Sequence, residues 1–288
     1  MSEHTQVANT EAEERWYMRF VYYHRFLHAL IITSFLGLVF TGMPLKFSET
    51  GWAQTMAHYM GGIQTAGFIH RVCGVITFLY FFLHIFYALY YVIKLRDEPF
   101  FKWLFGPNSM VPWIKDLEDV VGHLRWFLGK GERPKFDRYT YWEKFDYFAV
   151  FWGVGIIGIS GLFLWFPVFF SKFLPGWVFN VAIILHSDEA LLAAGFIFTI
   201  HFFNTHLRPE KFPLDDVIFT GRISEEELMH ERPLEYERLV QKGKLESLRT
   251  TPPTKTLKLW SRIVGFTAYG FGLVMIIFIV YSALREIH

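Results

Sequence analysis

The sequence predicts an all-α fold, an integral-membrane bundle of four helices followed by a fifth, C-terminal transmembrane helix. The first observation is composition: of 288 residues, 52% are hydrophobic and 20% aromatic, which is typical of lipid-facing helices with aromatic residues at the membrane surfaces. The second is the presence of five apolar segments, each long enough to cross a hydrocarbon core of ~30 Å, which takes roughly 20 helical residues. Because lipid offers the backbone no hydrogen-bond partners, these segments are expected to be helical.

The five apolar segments are separated by loops of very unequal length. They are expected at residues 26–47, 69–92, 145–170, 178–203 and 259–283. The residues before the first segment are polar and acidic, without the short apolar region and small-residue cleavage site of a signal peptide. The first segment is therefore expected to be a retained membrane helix.

Lysine and arginine are concentrated in three of the connecting regions. Three arginines precede the first segment, residues 93–144 hold ten basic residues and residues 204–258 hold another ten. By contrast, the two short loops hold only Lys172, with Lys46 at the end of the first segment. Regions rich in Lys and Arg tend to remain in the cytoplasm. The distribution therefore predicts a cytoplasmic N-terminus, cytoplasmic long loops and a C-terminus outside.

These boundaries divide the chain into four regions. They are a cytoplasmic N-terminal segment at 1–22, a four-helix domain at 23–206, a cytoplasmic charged loop at 207–256, and the fifth transmembrane helix with a short tail at 257–288. Within the four-helix domain, residues 109–130 place apolar residues at helical spacing between charges, which predicts an interfacial amphipathic helix. The charged loop suits either a solvated tail or a docking surface for a peripheral subunit.

Histidines carry the chemistry that this sequence suggests. Seven of the twelve lie in or at the ends of the first, second and fourth segments: His24, His28, His70, His84, His186, His201 and His206. A lone histidine on an apolar face usually has a structural, hydrogen-bonded role, but ionisable groups at membrane depth are costly and are functional by default. Neutral imidazole is a good axial ligand for haem iron. The single cysteine and the lack of a Cys-x-x-Cys-His sequence argue against thiolate metal sites and c-type haem attachment.

The spacing of these histidines strengthens the haem hypothesis. His70 and His84 are 14 residues apart, which is ~21 Å along a helix and about 40° around it. His186 and His201 are 15 residues apart, or ~22 Å and about 60°. Each helix thus offers one histidine near each membrane face, and the topology puts His70 and His186 near the outer face. His28, at the start of the first helix, joins the inner group.

Several stretches of the chain carry a family resemblance. They are HRFLHALIITSFLGLVFTG (24–42), GFIHRVCG (67–74), GLFLWFPVFFSKFLP (161–175), ILHSDEALLAAGFIFTIH (184–201) and TGRISEEELMHERPLEYERL (220–239). With these histidines in register, roughly residues 20–240 resemble the cytochrome b subunits of bacterial membrane-bound formate dehydrogenase, nickel–iron hydrogenase and thiosulfate reductase. The resemblance implies a subunit of a respiratory oxidoreductase in the bacterial inner membrane. Such a subunit moves electrons between menaquinone or ubiquinone and an iron–sulfur or multihaem cytochrome subunit through two haems b.

Ligand assignments follow from the resemblance residue by residue. It implies an outer haem on His70 and His186 and an inner haem on His28 and His201. The sequence departs from the family pattern in having two extra histidines, one more residue between the fourth-helix histidines, and a fifth helix. His84 is therefore an alternative inner ligand, or a ligand of a third haem with His24 or His206.

The family's quinone pocket lies beside the inner haem, near the start of the third helix. The corresponding residues here make Thr140, Tyr141 and Glu143 candidates for contacting a quinone, because a pocket needs a hydrogen-bonding group and a proton acceptor. An aromatic belt at the membrane surface is the alternative interpretation of Tyr141. No catalytic residue is predicted in this chain.

Two other functions remain open at the level of sequence. One is a transporter whose intramembrane histidines relay protons, and the other is a passive membrane anchor.

Six glycines in the predicted helices allow a close approach of a porphyrin to the backbone or serve ordinary helix packing. These are Gly37, Gly42, Gly74, Gly158, Gly161 and Gly195. A net charge of +1 gives no general case for nucleic-acid binding.

Overall fold

A computed structural model describes residues 14–286 of the chain. Its five long apolar helices are Tyr22–Lys46, Ile63–Leu95, Tyr141–Trp165, Trp177–Leu207 and Lys255–Arg285. The predicted all-α membrane bundle is confirmed, and the protein is a multi-pass membrane protein. Residues 1–13 of the predicted N-terminal segment and residues 287–288 of the C-terminal tail lie outside the described part.

The five spans are α1, α3, α6, α8 and α12 in chain order. Their bounds are Tyr22–Lys46 (α1), Ile63–Tyr90 (α3), Tyr141–Trp165 (α6), Trp177–Phe196 (α8) and Lys255–Glu286 (α12). Helix α3 continues into a π-helical turn at Tyr91–Leu95, and α8 continues into two, at Ile197–His201 and Phe203–Leu207. Each span begins four to six residues before the predicted apolar segment, except α8, which begins one residue before it. Hydropathy marks only the part in hydrocarbon, whereas the helix continues into the interface.

Seven shorter helices occupy the connections among the described residues. They are Gly51–Tyr59 (α2), Phe100–Leu104 (α4), Ile114–Phe127 (α5), Pro167–Phe170 (α7), Val217–Thr220 (α9), Glu225–Glu231 (α10) and Pro233–Gln241 (α11). Helix α5 lies inside the stretch predicted to be amphipathic. Its apolar Leu117 and Leu124 are exposed, whereas its Asp116 and His123 are buried against the bundle. An apolar outer face suits a helix that lies on a membrane surface.

The spans pack as two tight pairs. Helix α1 lies along α3 and α6 lies along α8, while contacts between the two pairs are much sparser. Helix α12 packs against α1 and the first π-helical turn after α8. These three elements, with α2, share the larger apolar core: Val39, Met43, Phe47, Ala53, Ala194, Phe198, Phe202, Ala268, Met275 and Ile279. The candidate histidines other than His206 lie between the two pairs.

A small folded unit covers the end of the bundle at which α1 begins, here called the N-terminal end. Its antiparallel sheet has the order β2-β1-β3, from Arg222–Ser224, Trp16–Met18 and Arg249–Thr250. Its core consists of Tyr17, Val217, Ile223, Leu228, Leu239 and Leu245. The described residues of two of the predicted regions, 1–22 and 207–256, pack together in this unit.

Buried ion pairs attach this unit to the spans. The Glu235 carboxylate accepts from Arg19 at 2.5 Å and from Arg138 at 2.8 Å, and only 2% of Glu235 is exposed. Burial alone would raise the pKa of Glu235, but the charges of Arg19 and Arg138 outweigh it, so that the pKa is lowered. A second pair joins Arg232 to Glu143 at 2.9 Å. The N-terminal strand and the two long loops are therefore held as one assembly.

Candidate functional site

The clearest site is a pair of histidines at the end of the bundle opposite the sheet. The imidazole rings of His70 and His186 have their centroids 6.1 Å apart with an angle of 71° between the planes. Nδ1 of His186 donates to the carbonyl of Ile157 at 2.9 Å. Nδ1 of His70 lies 2.8 Å from Oγ1 of Thr41, whose hydroxyl donates to the carbonyl of Gly37 at 2.7 Å. Thr41 therefore accepts from His70, and Nε2 of both rings is left as a free lone pair.

Two glycines hold these imidazoles against the neighbouring helices. A Cβ on Gly42 would lie 3.1 Å from Cε1 of His70, and a Cβ on Gly161 would lie 2.9 Å from Cε1 of His186. Both distances are shorter than ordinary carbon contacts, so any larger residue would displace a ring. Helices α1 and α6 thus orient side chains that α3 and α8 supply, and all four spans build the pair.

A second group of histidines lies toward the N-terminal end. Nδ1 of His201 is 3.1 Å from Oδ2 of Asp146. His28 lies within the range of electrostatic interaction with His201, and the ring of Phe219 packs edge-on against it at 5.8 Å. Neither His28 nor Nε2 of His201 has a hydrogen-bond partner among residues 14–286. His28 on α1 and His201 at the end of the π-helical turn after α8 therefore form the second candidate pair.

The π-helical turn at Ile197–His201 accounts for the unusual spacing on the fourth span. A π turn accommodates one residue more than an α turn. His201 is the fifteenth residue after His186, but it falls near the position of the fourteenth residue of a regular α-helix, about 40° to one side of His186 instead of about 60° to the other. One residue is thereby absorbed, and His186 and His201 lie on nearly the same face.

His84 has a different environment. Its Nε2 lies 2.8 Å from the hydroxyl of Tyr147, and the rings of Tyr147 and Phe151 pack edge-on against it. His24 lies close to His84, with Tyr87 edge-on at 5.2 Å. The structure therefore gives His84 a phenol partner at the nitrogen that an axial ligand would need.

His206 lies outside the space between the helix pairs. It is buried, its Nδ1 is 3.3 Å from the carbonyl of Pro213, and its ring stacks on Tyr269 of α12 at 5.0 Å. Phe202 and Phe266 pack against the same ring. His206 thus joins the fifth span to the fourth and is oriented as a packing residue.

The quinone candidates are engaged in local contacts. Thr140 is fully buried and caps α6: its hydroxyl donates to Glu143 at 2.8 Å, while its Oγ1 accepts from the backbone N–H of Glu143. The other carboxylate oxygen of Glu143 pairs with Arg232. The hydroxyl of Tyr141 lies 3.1 Å from Nδ1 of His123 on α5. The structure places all three at the N-terminal end, where they hold the first turn of α6.

Four polar side chains of the site were not predicted from the sequence. Three contact the Nδ1 atoms: Thr41 that of His70, Ser160 that of His186, and Asp146 that of His201. The fourth, Tyr147, contacts Nε2 of His84. Each is a polar residue inside an apolar helix. Such a residue at helical distance from a candidate ligand was the available signal.

The residues present fit a haem held by two imidazoles. His70 and His186, with ring centroids 6.1 Å apart, would hold the iron of a haem through their free Nε2 atoms, since bonds from a metal to an imidazole nitrogen are about 2 Å long. Ligating imidazoles almost always donate their other N–H to a fixed partner, as His70, His186 and His201 do. Among the described residues no cluster of three or more His, Cys, Asp or Glu is suited to a metal ion. The candidate histidines are therefore available as ligands in pairs.

No family model matches the chain, and no curated protein matches it at a significant level.

Proposed function

We propose that this protein is the membrane b-type cytochrome subunit of a respiratory oxidoreductase. It moves electrons across the bilayer between a quinone pool and a partner redox protein. The observation that carries the proposal is the His70–His186 pair, with rings 6.1 Å apart, both Nδ1 atoms engaged and both Nε2 atoms free. A haem bound by two imidazoles supplies one-electron transfer and keeps no coordination position open for substrate.

The chain's own residues orient and tune the two sites. At the outer site, Thr41 and the carbonyl of Ile157 fix the tautomers of His70 and His186. At the inner site, Asp146 does the same for His201, and His28 would be the second ligand. Because Nε2 of His28 has no hydrogen-bond partner among the described residues, whereas Nε2 of His84 contacts Tyr147, His28 is the better inner ligand. Two haems are proposed, without a third.

The charge distribution orients the subunit in a bacterial inner membrane. The N-terminal end carries the sheet, the ion pairs and both basic loops, and it is proposed to face the cytoplasm. The inner site at that end would exchange electrons with menaquinone or ubiquinone. The outer site would exchange them with an iron–sulfur or multihaem cytochrome subunit docked outside.

Spectroscopy and haem analysis of the purified full-length protein test the proposal. We expect dithionite-reduced minus oxidised spectra with b-type bands, and two haems per chain. The variant His186→Ala is expected to retain one haem, and so is His28→Ala. The matched control His84→Ala, on the same span as His70, is expected to retain two.

The alternatives predict different results. A protein without b-type bands would overturn the proposal in favour of a proton-relaying transporter. A passive anchor predicts that His186→Ala leaves quinone-linked electron transfer by the whole complex unchanged. A stoichiometry of three haems per chain would overturn the assignment of two sites.

A further inference from the structure

The two candidate sites differ in what lies behind their imidazoles. At the outer site both Nδ1 atoms contact neutral oxygens, the hydroxyl of Thr41 and the carbonyl of Ile157. At the inner site Nδ1 of His201 contacts the carboxylate of Asp146 at 3.1 Å. Only the inner site therefore has an acidic group directly behind an imidazole.

Asp146 is not neutralised by the basic residues around it. Its other carboxylate oxygen, Oδ1, is buried and has no hydrogen-bond partner within residues 14–286. Lys144, two residues before Asp146 on the same helix, pairs with Asp116 at 3.0 Å. His201 is thus the one hydrogen-bond donor that the described structure gives to this carboxylate.

Backbone geometry brings the two side chains together. Asp146 lies in the second turn of α6, and His201 ends the π-helical turn Ile197–His201. Because that turn absorbs one residue, it rotates His201 relative to an unbroken α-helix. The contact between Asp146 and His201 therefore depends on the same π-helical turn that places His201 on the face of His186.

We infer that Asp146 is a positioning residue for the inner site, which fixes the tautomer and ring orientation of His201 and lowers the redox potential of the haem held there. The inference rests on the proposed function. A carboxylate that accepts from Nδ1–H makes Nε2 a stronger donor to the metal. A stronger donor favours the oxidised, more positively charged iron, so the inner haem would have a lower potential than a neutral partner would allow.

A redox titration of purified full-length protein, followed by absorbance, tests this inference. Asp146→Asn keeps an acceptor oxygen but removes the charge. We expect it to retain two haems and to shift the midpoint potential of the inner haem to more positive values. The outer haem, whose imidazoles contact neutral groups, is an internal standard, and its midpoint potential should not shift. The low-spin electron paramagnetic resonance signal of the inner haem should shift as well.

Two further variants control the result. Asp146→Glu keeps the charge and is expected to stay closer to the wild-type potential than Asp146→Asn does. If Asp146→Asn fails to fold, a shift in Asp146→Glu toward positive values supports the inference, because a longer side chain disturbs the contact. Asp97→Asn removes a carboxylate whose side chain is 82% exposed, beyond the end of α3, and should leave both potentials unchanged.

The failures of the two proposals are distinguishable. Wild-type protein without b-type bands overturns the proposed function itself. Wild-type protein with two haems, combined with an unshifted inner potential in Asp146→Asn, or in Asp146→Glu if Asp146→Asn does not fold, overturns only the role of Asp146. An equal shift in the midpoint potentials of both haems would also overturn it, because the removed charge would then act on the whole protein and not through His201.

Discussion

The hydroxyl oxygen of Thr41 lies 2.8 Å from Nδ1 of His70, and the same hydroxyl donates to the carbonyl of Gly37 one turn earlier in α1. Its single proton is therefore committed to the backbone, and the oxygen can only accept from the imidazole. A residue on α1 thus selects the tautomer of a histidine on α3. That choice determines which nitrogen is available to a metal.

Replacing Thr41 with valine tests this relationship. Valine has nearly the same shape and no acceptor, so Nδ1–H of His70 would lose its partner and the ring its fixed orientation. Loss of such a partner typically lowers metal affinity by 10–100-fold, and we expect preferential loss of the outer haem during dilution in detergent. Thr41→Ser retains the acceptor and should behave as wild type. Equal haem retention by all three proteins would contradict the prediction.

Replacing Gly161 with alanine tests the close approach of α6 to His186. The added methyl group would lie 2.9 Å from Cε1 of His186, so the ring must shift or the helices must separate, at a cost of about 1–3 kcal/mol. We expect Gly161→Ala to lose the outer haem and to melt at a lower temperature. Gly155 lies on the same helix with no atom within 4 Å of an added Cβ, and Gly155→Ala is the matched control. A variant at Gly161 that keeps two haems would contradict the prediction.

The bundle was predictable because crossing a membrane imposes a long apolar run. All five spans stand out by hydropathy alone, and α5 falls within the predicted 109–130 stretch. The depth-matched spacing of histidines also placed His70 and His186 at one level, and the structure brings their rings into contact. Haem ligation by these residues stays a prediction.

The sheet and the environment of the other histidines were not predictable by the same argument. Strand β1 has three residues and pairs with strands more than 200 residues away, so neither its length nor its pattern indicates a strand. The burial of Glu235 depends on Arg19 and Arg138 meeting from two other regions. Likewise, spacing could not distinguish His28 from His84, because the contact of His84 with Tyr147 depends on how α3 meets α6.

Removing the charge of Glu235 tests the attachment of the N-terminal unit. Glu235→Gln leaves Arg19 and Arg138 close together without a counter-charge, and breaking a buried pair in this way costs about 3–5 kcal/mol. We expect faster hydrogen exchange in β1, β2 and α11, with the spans little affected. Glu237, on the same helix, lies outside this cluster, so Glu237→Gln is the control. Unchanged exchange in β1 would contradict the prediction.

The same carboxylate predicts a pH dependence. Because the folded state lowers the pKa of Glu235, its stabilising contribution is fully present above the unfolded value of about 4.3. The contribution is lost as the pH falls through the lower, folded value. Exchange in β1 should therefore accelerate beyond its intrinsic pH dependence as the pH drops below about 4, and Glu235→Gln should abolish that part of the acceleration.

Replacing His206 with alanine separates packing from ligation. The imidazole is 5% exposed, stacks on Tyr269 at 5.0 Å and has its Nδ1 near the carbonyl of Pro213. Its removal leaves a cavity between α8 and α12 and frees a buried carbonyl, so we expect destabilisation of about 1–3 kcal/mol and a lower melting temperature. Two haems should remain, because neither proposed pair includes this residue. His206→Gln can restore a hydrogen bond to Pro213 without the ring and should be intermediate in stability. Loss of a haem from His206→Ala at a temperature where the variant is folded would instead make His206 a ligand, and the inner pair would have to be reassigned.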